Sequence, residues 1–156
     1  MTVDFVRARL AVLQRQIPGI TWVHDRIPHA ISNPELPCFV NRAADALYSP
    51  TTLGETATDE GRLYYMELYV TELQTGGEGQ AEDMTTPFLD VVRDFFLARP
   101  QLQIEGSNEA VYKAVLESDT GPAIGIRYPN TEAGTPYAGI RFSIRIHEIH
   151  PIAYIG

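Results

Sequence analysis

The chain has 156 residues, 44% hydrophobic and 21% charged, which suits one domain able to bury roughly two thirds of its unfolded-chain surface without disulfides or metal. Its net charge is −8 with a single lysine, Lys113, which argues against binding to phosphate backbones, since that needs clustered Lys and Arg. No apolar run approaches the roughly 20 residues that cross a bilayer. The start Met1-Thr2-Val3-Asp4 lacks the basic segment and cleavage site of a signal peptide, so the expectation is a protein made in a cytoplasm with no membrane partner.

Apolar residues recur at Val3, Val6, Leu10, Leu13 and Ile17 while Arg7, Arg9, Gln14 and Arg15 fall between them, a spacing that predicts an amphipathic helix from Val3 to Gln16. Thr2 can cap it, Asp4 complements its dipole, and Pro18-Gly19 disfavours continuation. Ile20 to Ile27 and Leu36 to Arg42 read as short strands joined by an extended, proline-bearing connector. Cys38 lies in the apolar run Leu36-Pro37-Cys38-Phe39-Val40 and reads as a buried, inert thiol. Ala43 to Gly61 has no period and contains the turn-rich run Ser49 to Gly54, which predicts a long loop or an extended hairpin arm.

Arg62 to Leu73 alternates, with Tyr64, Met66, Leu68 and Val70 on one face and Tyr65, Glu67, Tyr69 and Thr71 on the other, so it is a strand with one face in the core. Thr75 to Gln80 is polar and glycine-rich and reads as a second loop. Thr86-Pro87 supplies a cap and a first-turn proline for a second helix, whose stripe is Phe88, Val91, Val92, Phe95 and Phe96. Three more strands follow: Ala110 to Ser118, where Asn108 could instead cap a helix, then Pro122 to Tyr128, then Tyr137 to Ile149. In the last, Ala138, Ile140, Phe142, Ile144 and Ile146 point inward and Arg141, Ser143, Arg145 and His147 outward. The order predicts a single α+β domain over residues 1–156: a mixed, mostly antiparallel sheet, two amphipathic helices on one face, and long acidic loops.

Chemical motifs are weak. Asp119-Thr120-Gly121 matches the aspartic-protease tripeptide, but the residues before it are Glu117-Ser118 rather than apolar, and an ordinary turn explains it. His147 and His150 would face opposite sides of a strand, and His24 and His29 straddle a proline, so satisfied or surface histidines are expected. There is no phosphate loop and no Gly-x-Ser-x-Gly. The expectation is a non-enzyme with no catalytic residue, metal or cofactor.

Two features exceed fold maintenance. Tyr65, Tyr69, Arg141 and Arg145 are candidate subunit-interface residues, because Tyr and Arg are enriched in interface cores; cross-strand Glu67–Arg pairs on an exposed sheet are the plainer reading. From Asp45 to Asp90 there are ten acids against one base, Arg62. Glu55, Asp59, Glu60, Glu78, Glu82 and Asp83 are therefore candidates for an acidic surface that repels a polyanion or docks a basic partner.

The helix from Val3, Pro18-Gly19-Ile20 and a short strand, Leu36-Pro37-Cys38-Phe39-Val40, the strand Arg62 to Val70, the helix around Phe88 to Phe96 and the closing Tyr137 to Ile144 together resemble the tail-terminator or tail-completion proteins of long-tailed bacteriophages and related gene-transfer-agent particles. The resemblance spans nearly the whole chain. It implies a structural protein of the virion tail and neck, assembled in the host cytoplasm. A homo-hexameric ring would cap the tail tube protein and join it to the head-side connector or stopper, with no catalysis and no cofactor. DNA would pass through an acid-lined lumen without specific binding. Another neck or baseplate connector, and a small-molecule-binding or enzymatic α+β domain, remain the alternatives.

Overall fold

The apolar spacing of the first segment becomes helix α1, Val3–Gln14, whose first turn is closed by the Thr2 hydroxyl accepting the Phe5 N–H at 3.1 Å. The computed structural model describes residues 2–51, 54–74, 77–104, 111 and 113–151. The helix stops short of Gln16 because the Gln16 and Ile17 N–H groups turn back to the Leu13 and Gln14 carbonyls ahead of Gly19, whose φ is +90°; a residue with a Cβ adopts that angle only under strain.

The sheet has six strands: β1 Trp22–Val23, β2 Cys38–Thr51, β3 Gly54–Glu72, β4 Lys113–Asp119, β5 Ala123–Tyr128 and β6 Thr135–Pro151. They run in the order β1-β2-β3-β6-β4, with β5 also paired to β6. Only β1 is parallel to its neighbour. β4 and β5 follow one another along the same edge of β6. Between them Asp119-Thr120-Gly121 is a turn: the Gly121 N–H donates to Asp119 Oδ1 at 2.7 Å, and Thr120 keeps the edge bonded to Arg141.

Several expected boundaries move. The strand from Ile20 shrinks to two residues, because after Val23 the chain bends and Asp25 is drawn to Arg15 at 2.5 Å. Ala43 to Gly61 takes the hairpin alternative: Ala46 to Pro50 stay paired with Arg62 to Thr58, past an irregularity between Ala43 and Ala46. Of the loop read over Thr75 to Gln80, Thr75 and Gly76 lie outside the described residues, and Glu78 to Gln80 open α2, Glu78–Thr85, whose Ala81 and Thr85 are buried. Thr86 is not the expected side-chain cap. Its backbone is helical and its hydroxyl donates to the Glu82 carbonyl, so α2 runs directly into α3, Pro87–Leu97. Asn108 lies outside the described residues.

Both helical units pack on one face. Val6, Leu10 and Leu13 of α1 and Val92 and Phe96 of α3 meet Tyr64, Met66, Leu68 and Val70 of β3 and Ile140, Phe142, Ile144 and Ile146 of β6. Each such side chain stabilises the fold by about 1.5–3 kcal/mol relative to exposure. A polar pair sets the register of α1 on β2: the buried amides of Gln14 and Asn41 exchange two hydrogen bonds at 2.7 and 2.8 Å. Gly139 permits the close approach of β3 and β6, since a Cβ there would lie 2.0 Å from the Leu68 carbonyl oxygen. A smaller cluster, including Ile31, Cys38, Val40, Tyr69, Tyr128 and Tyr137, covers one end of the opposite face.

Candidate functional site

Strand alternation that sends Tyr64, Met66 and Leu68 to the helices sends Tyr65, Glu67 and Tyr69 to the other face. Register then places Glu67 between Val40 of β2 and Arg141 of β6. Arg42, sharing the parity of Val40, reaches the same carboxylate. Glu67 is 6% exposed; Arg42 Nε donates to its Oε1 at 2.6 Å and an Arg141 terminal nitrogen to its Oε2 at 3.1 Å. The Tyr65 ring lies under the Arg141 guanidinium at 4.7 Å, a cation–π contact that fixes the plane of the group. Burial alone would lower the Arg42 pKa, but the hydrogen bond and charge of Glu67 outweigh it and hold the group above its ordinary value.

These groups line a cleft of about 260 Å³ whose other wall is Ile126, Arg127 and Asn130 from β5 and the turn after it. Three guanidiniums therefore border it against one carboxylate, on a chain whose net charge is −8. Arg127 is braced from behind by the Gly134 carbonyl at 2.7 Å. The arrangement suits recognition of an anionic or planar polar group; its lining holds no thiol and no aliphatic hydroxyl. A hollow of about 300 Å³ beside Trp22 is slightly larger, but its charged groups, Arg15 and Asp25, are already paired with each other.

The four interface candidates part company. Tyr65 and Arg141 belong to the cleft, and the Arg141 side chain is 42% exposed. Tyr69 also lines the cleft but is 2% exposed, with Tyr128 and Tyr137 edge-on at 5.5 Å; burial raises its hydroxyl pKa. Arg145 lies further along the sheet, gripping Glu117 through two nitrogens and the Gly61 carbonyl at 2.7 Å. The Glu67–Arg141 pair is the cross-strand pairing that the plainer reading expected.

The acidic candidates lie on strands and a helix. Asp59 contacts His147 at 3.1 Å, and Glu60 contacts Arg62 at 3.0 Å and His150 at 2.8 Å. Glu78, Glu82 and Asp83 are exposed on α2. Glu55 falls within β3, its side chain outside the described residues.

Sequence reasoning missed Arg42, Arg127 and Asn130. Arg42 carried a usable signal, its parity with Cys38 and Val40, but only strand register says which face that is. It also missed that His24 comes beside Cys38: among the described residues, His24, Glu35 and Cys38 form the one group of three metal-capable side chains. No protein-family model matches the chain, and no curated protein matches it significantly.

Proposed function

We propose that the protein is a ring-forming connector of a tailed-phage particle, a tail terminator that caps the tail tube and joins it to the head-side connector. One observation carries the reading. Beyond Tyr64 and Ile146 the sheet continues as an arm built from residues 45–51, 54–61 and 147–151, in which no described apolar side chain is buried. Leu47 and Tyr48 on this arm are 64% and 62% exposed. An extension without its own core gains little from folding alone, and apolar groups displayed on it favour contact with another chain. In a closed ring such an arm meets a different surface of the next copy, the head-to-tail geometry that cyclic assemblies use.

Light scattering over a range of concentrations, with and without tail tubes, tests this. The expected result is a hexamer, or a monomer that closes into a ring on tube ends. Leu47→Ser with Tyr48→Ser should leave monomer stability within about 0.5 kcal/mol, since both side chains are exposed, while abolishing the ring. A stable monomer indifferent to tubes refutes the proposal and moves the reading to an anion-binding domain centred on the Arg42–Arg141 cleft.

A further inference from the structure

Across β2 from the arginine cleft, one stretch of chain between residues 24 and 38 brings three chemically matched side chains together. β1 alternates, so Val23 enters the core while His24 shares the opposite face with Trp22, whose parallel partner is Cys38. The His24 N–H bonds the Phe39 carbonyl at 3.1 Å, and the Thr21 N–H the Pro37 carbonyl at 2.9 Å, pinning the strand start against the chain that carries Cys38. Between them a single turn of 3-10 helix, Asn33–Glu35, returns Glu35 to His24, with Nε2 and Oε2 at 2.9 Å. One ring nitrogen of His24, one carboxylate oxygen of Glu35 and the Cys38 sulfur all lie within 4.8 Å of one another.

We propose that His24, Glu35 and Cys38 bind one Zn2+ ion, with solvent as fourth ligand. The donor set is the mixed nitrogen, sulfur and oxygen set that this ion accepts tetrahedrally, and the sulfur and imidazole disfavour Mg2+ and Ca2+. Bond lengths of roughly 2.0–2.3 Å put tetrahedral ligand atoms about 3.3–3.7 Å apart, so the widest separation closes by no more than about 1.5 Å. Glu35, its side chain 28% exposed, has room to make that movement and admits the water. Charge balances at the site: Zn2+ replaces the thiol proton, which leaves to solvent, and thiolate plus carboxylate cancel the ion. A neutral site suits this partly buried position far better than an isolated charge. Without the ion, burial and then the Glu35 charge push the Cys38 thiol up to about 12, so it rests as a neutral group beside a carboxylate. Bound, the ion would tie the connector between β1 and β2 to the sheet, independently of any assembly.

Co2+ and then Zn2+ added to the reduced protein test the site. Co2+ should give a thiolate-to-metal charge-transfer band in the near ultraviolet and the intense visible bands of a four-coordinate ion, and one equivalent of Zn2+ should remove both. Cys38→Ala should lose the charge-transfer band. His24→Ala should weaken Zn2+ binding by at least about 100-fold, exceeding the loss usual for residues that only support a ligand. Should Cys38→Ala fail to fold, His24→Ala and Glu35→Gln, which alter partly exposed side chains, carry the test. Weak six-coordinate Co2+ bands without charge transfer, or Zn2+ affinity unchanged in the folded variants, overturns the proposal.

Discussion

Glu67→Gln removes the charge from the centre of the arginine cleft while keeping its shape. The carboxylate is 6% exposed and accepts from Arg42 at 2.6 Å and Arg141 at 3.1 Å. The amide retains one acceptor, so one guanidinium keeps a neutral partner while the other faces an NH2 group and its own like charge. Breaking a buried ion pair from one side typically costs 3–5 kcal/mol. Here the Arg42 and Arg141 side chains are 32% and 42% exposed, so water recovers part of that, and the expected loss is about 2–3 kcal/mol. With a urea slope near 2 kcal/mol/M, the unfolding midpoint should fall by about 1–1.5 M at unchanged slope. Arg42→Gln should cost more than Arg141→Gln, because its bond is shorter and its side chain better covered. The double variant Glu67→Gln/Arg42→Gln should be less damaging than the sum of the singles. A midpoint moved by under about 0.2 M in Glu67→Gln would show that the three groups contribute nothing to folding, refuting the electrostatic account of the cleft.

Gln14→Leu strands the buried Asn41 amide, which otherwise trades two hydrogen bonds with Gln14, and should cost about 1–3 kcal/mol in thermal or urea unfolding; the double variant with Asn41→Leu should recover part of the loss. Alkaline pH should also destabilise the fold. Burial raises the Cys38 thiol from 9.0 to about 12 and the Tyr64 phenol from 10.0 to about 12, so the folded state holds these protons more tightly than the unfolded chain. Their contribution is whole below the unfolded values and is lost as pH rises toward the folded ones. The urea midpoint should hold to about pH 9 and decline between about 9 and 12, and Cys38→Ala should remove the earliest part of that decline. A midpoint that climbs through this window contradicts the burial assigned to these groups.

What could be read in advance was whatever repeats locally. The three-and-four spacing of Val6, Leu10 and Leu13 and the alternation of Tyr64 to Val70 and Ile140 to Ile146 mark faces within one segment, and those residues form the core. α2 escaped because it buries only Ala81 and Thr85 and so shows no apolar stripe. The cleft escaped for a different reason. Arg42 meets Glu67 across 25 positions and Arg141 meets it across 74, and such meetings follow from strand register. Tyr69 shows what parity leaves out: it shares the face of Tyr65, but the returning β5–β6 hairpin brings Tyr128 and Tyr137 edge-on against it. His24 and Cys38 likewise meet only because β1 pairs in parallel with β2.

The acidic stretch from Asp45 to Asp90 looks uniform in one dimension, yet the fold divides it by what each acid touches. On the arm, Asp59 and Glu60 contact His147, His150 and Arg62, so these acids tie neighbouring strands together. On α2, by contrast, Glu78, Glu82 and Asp83 are exposed, and no ion pair joins them to a described residue. Charges of that kind act at a distance, within a Debye length of about 8 Å at physiological salt. Were the proposed ring to form, the arm would supply adhesion through Leu47 and Tyr48, and the exposed α2 acids would be the ones able to repel a passing polyanion. Neutralising Glu78, Glu82 and Asp83 should accordingly leave ring closure intact while changing how the lumen treats DNA.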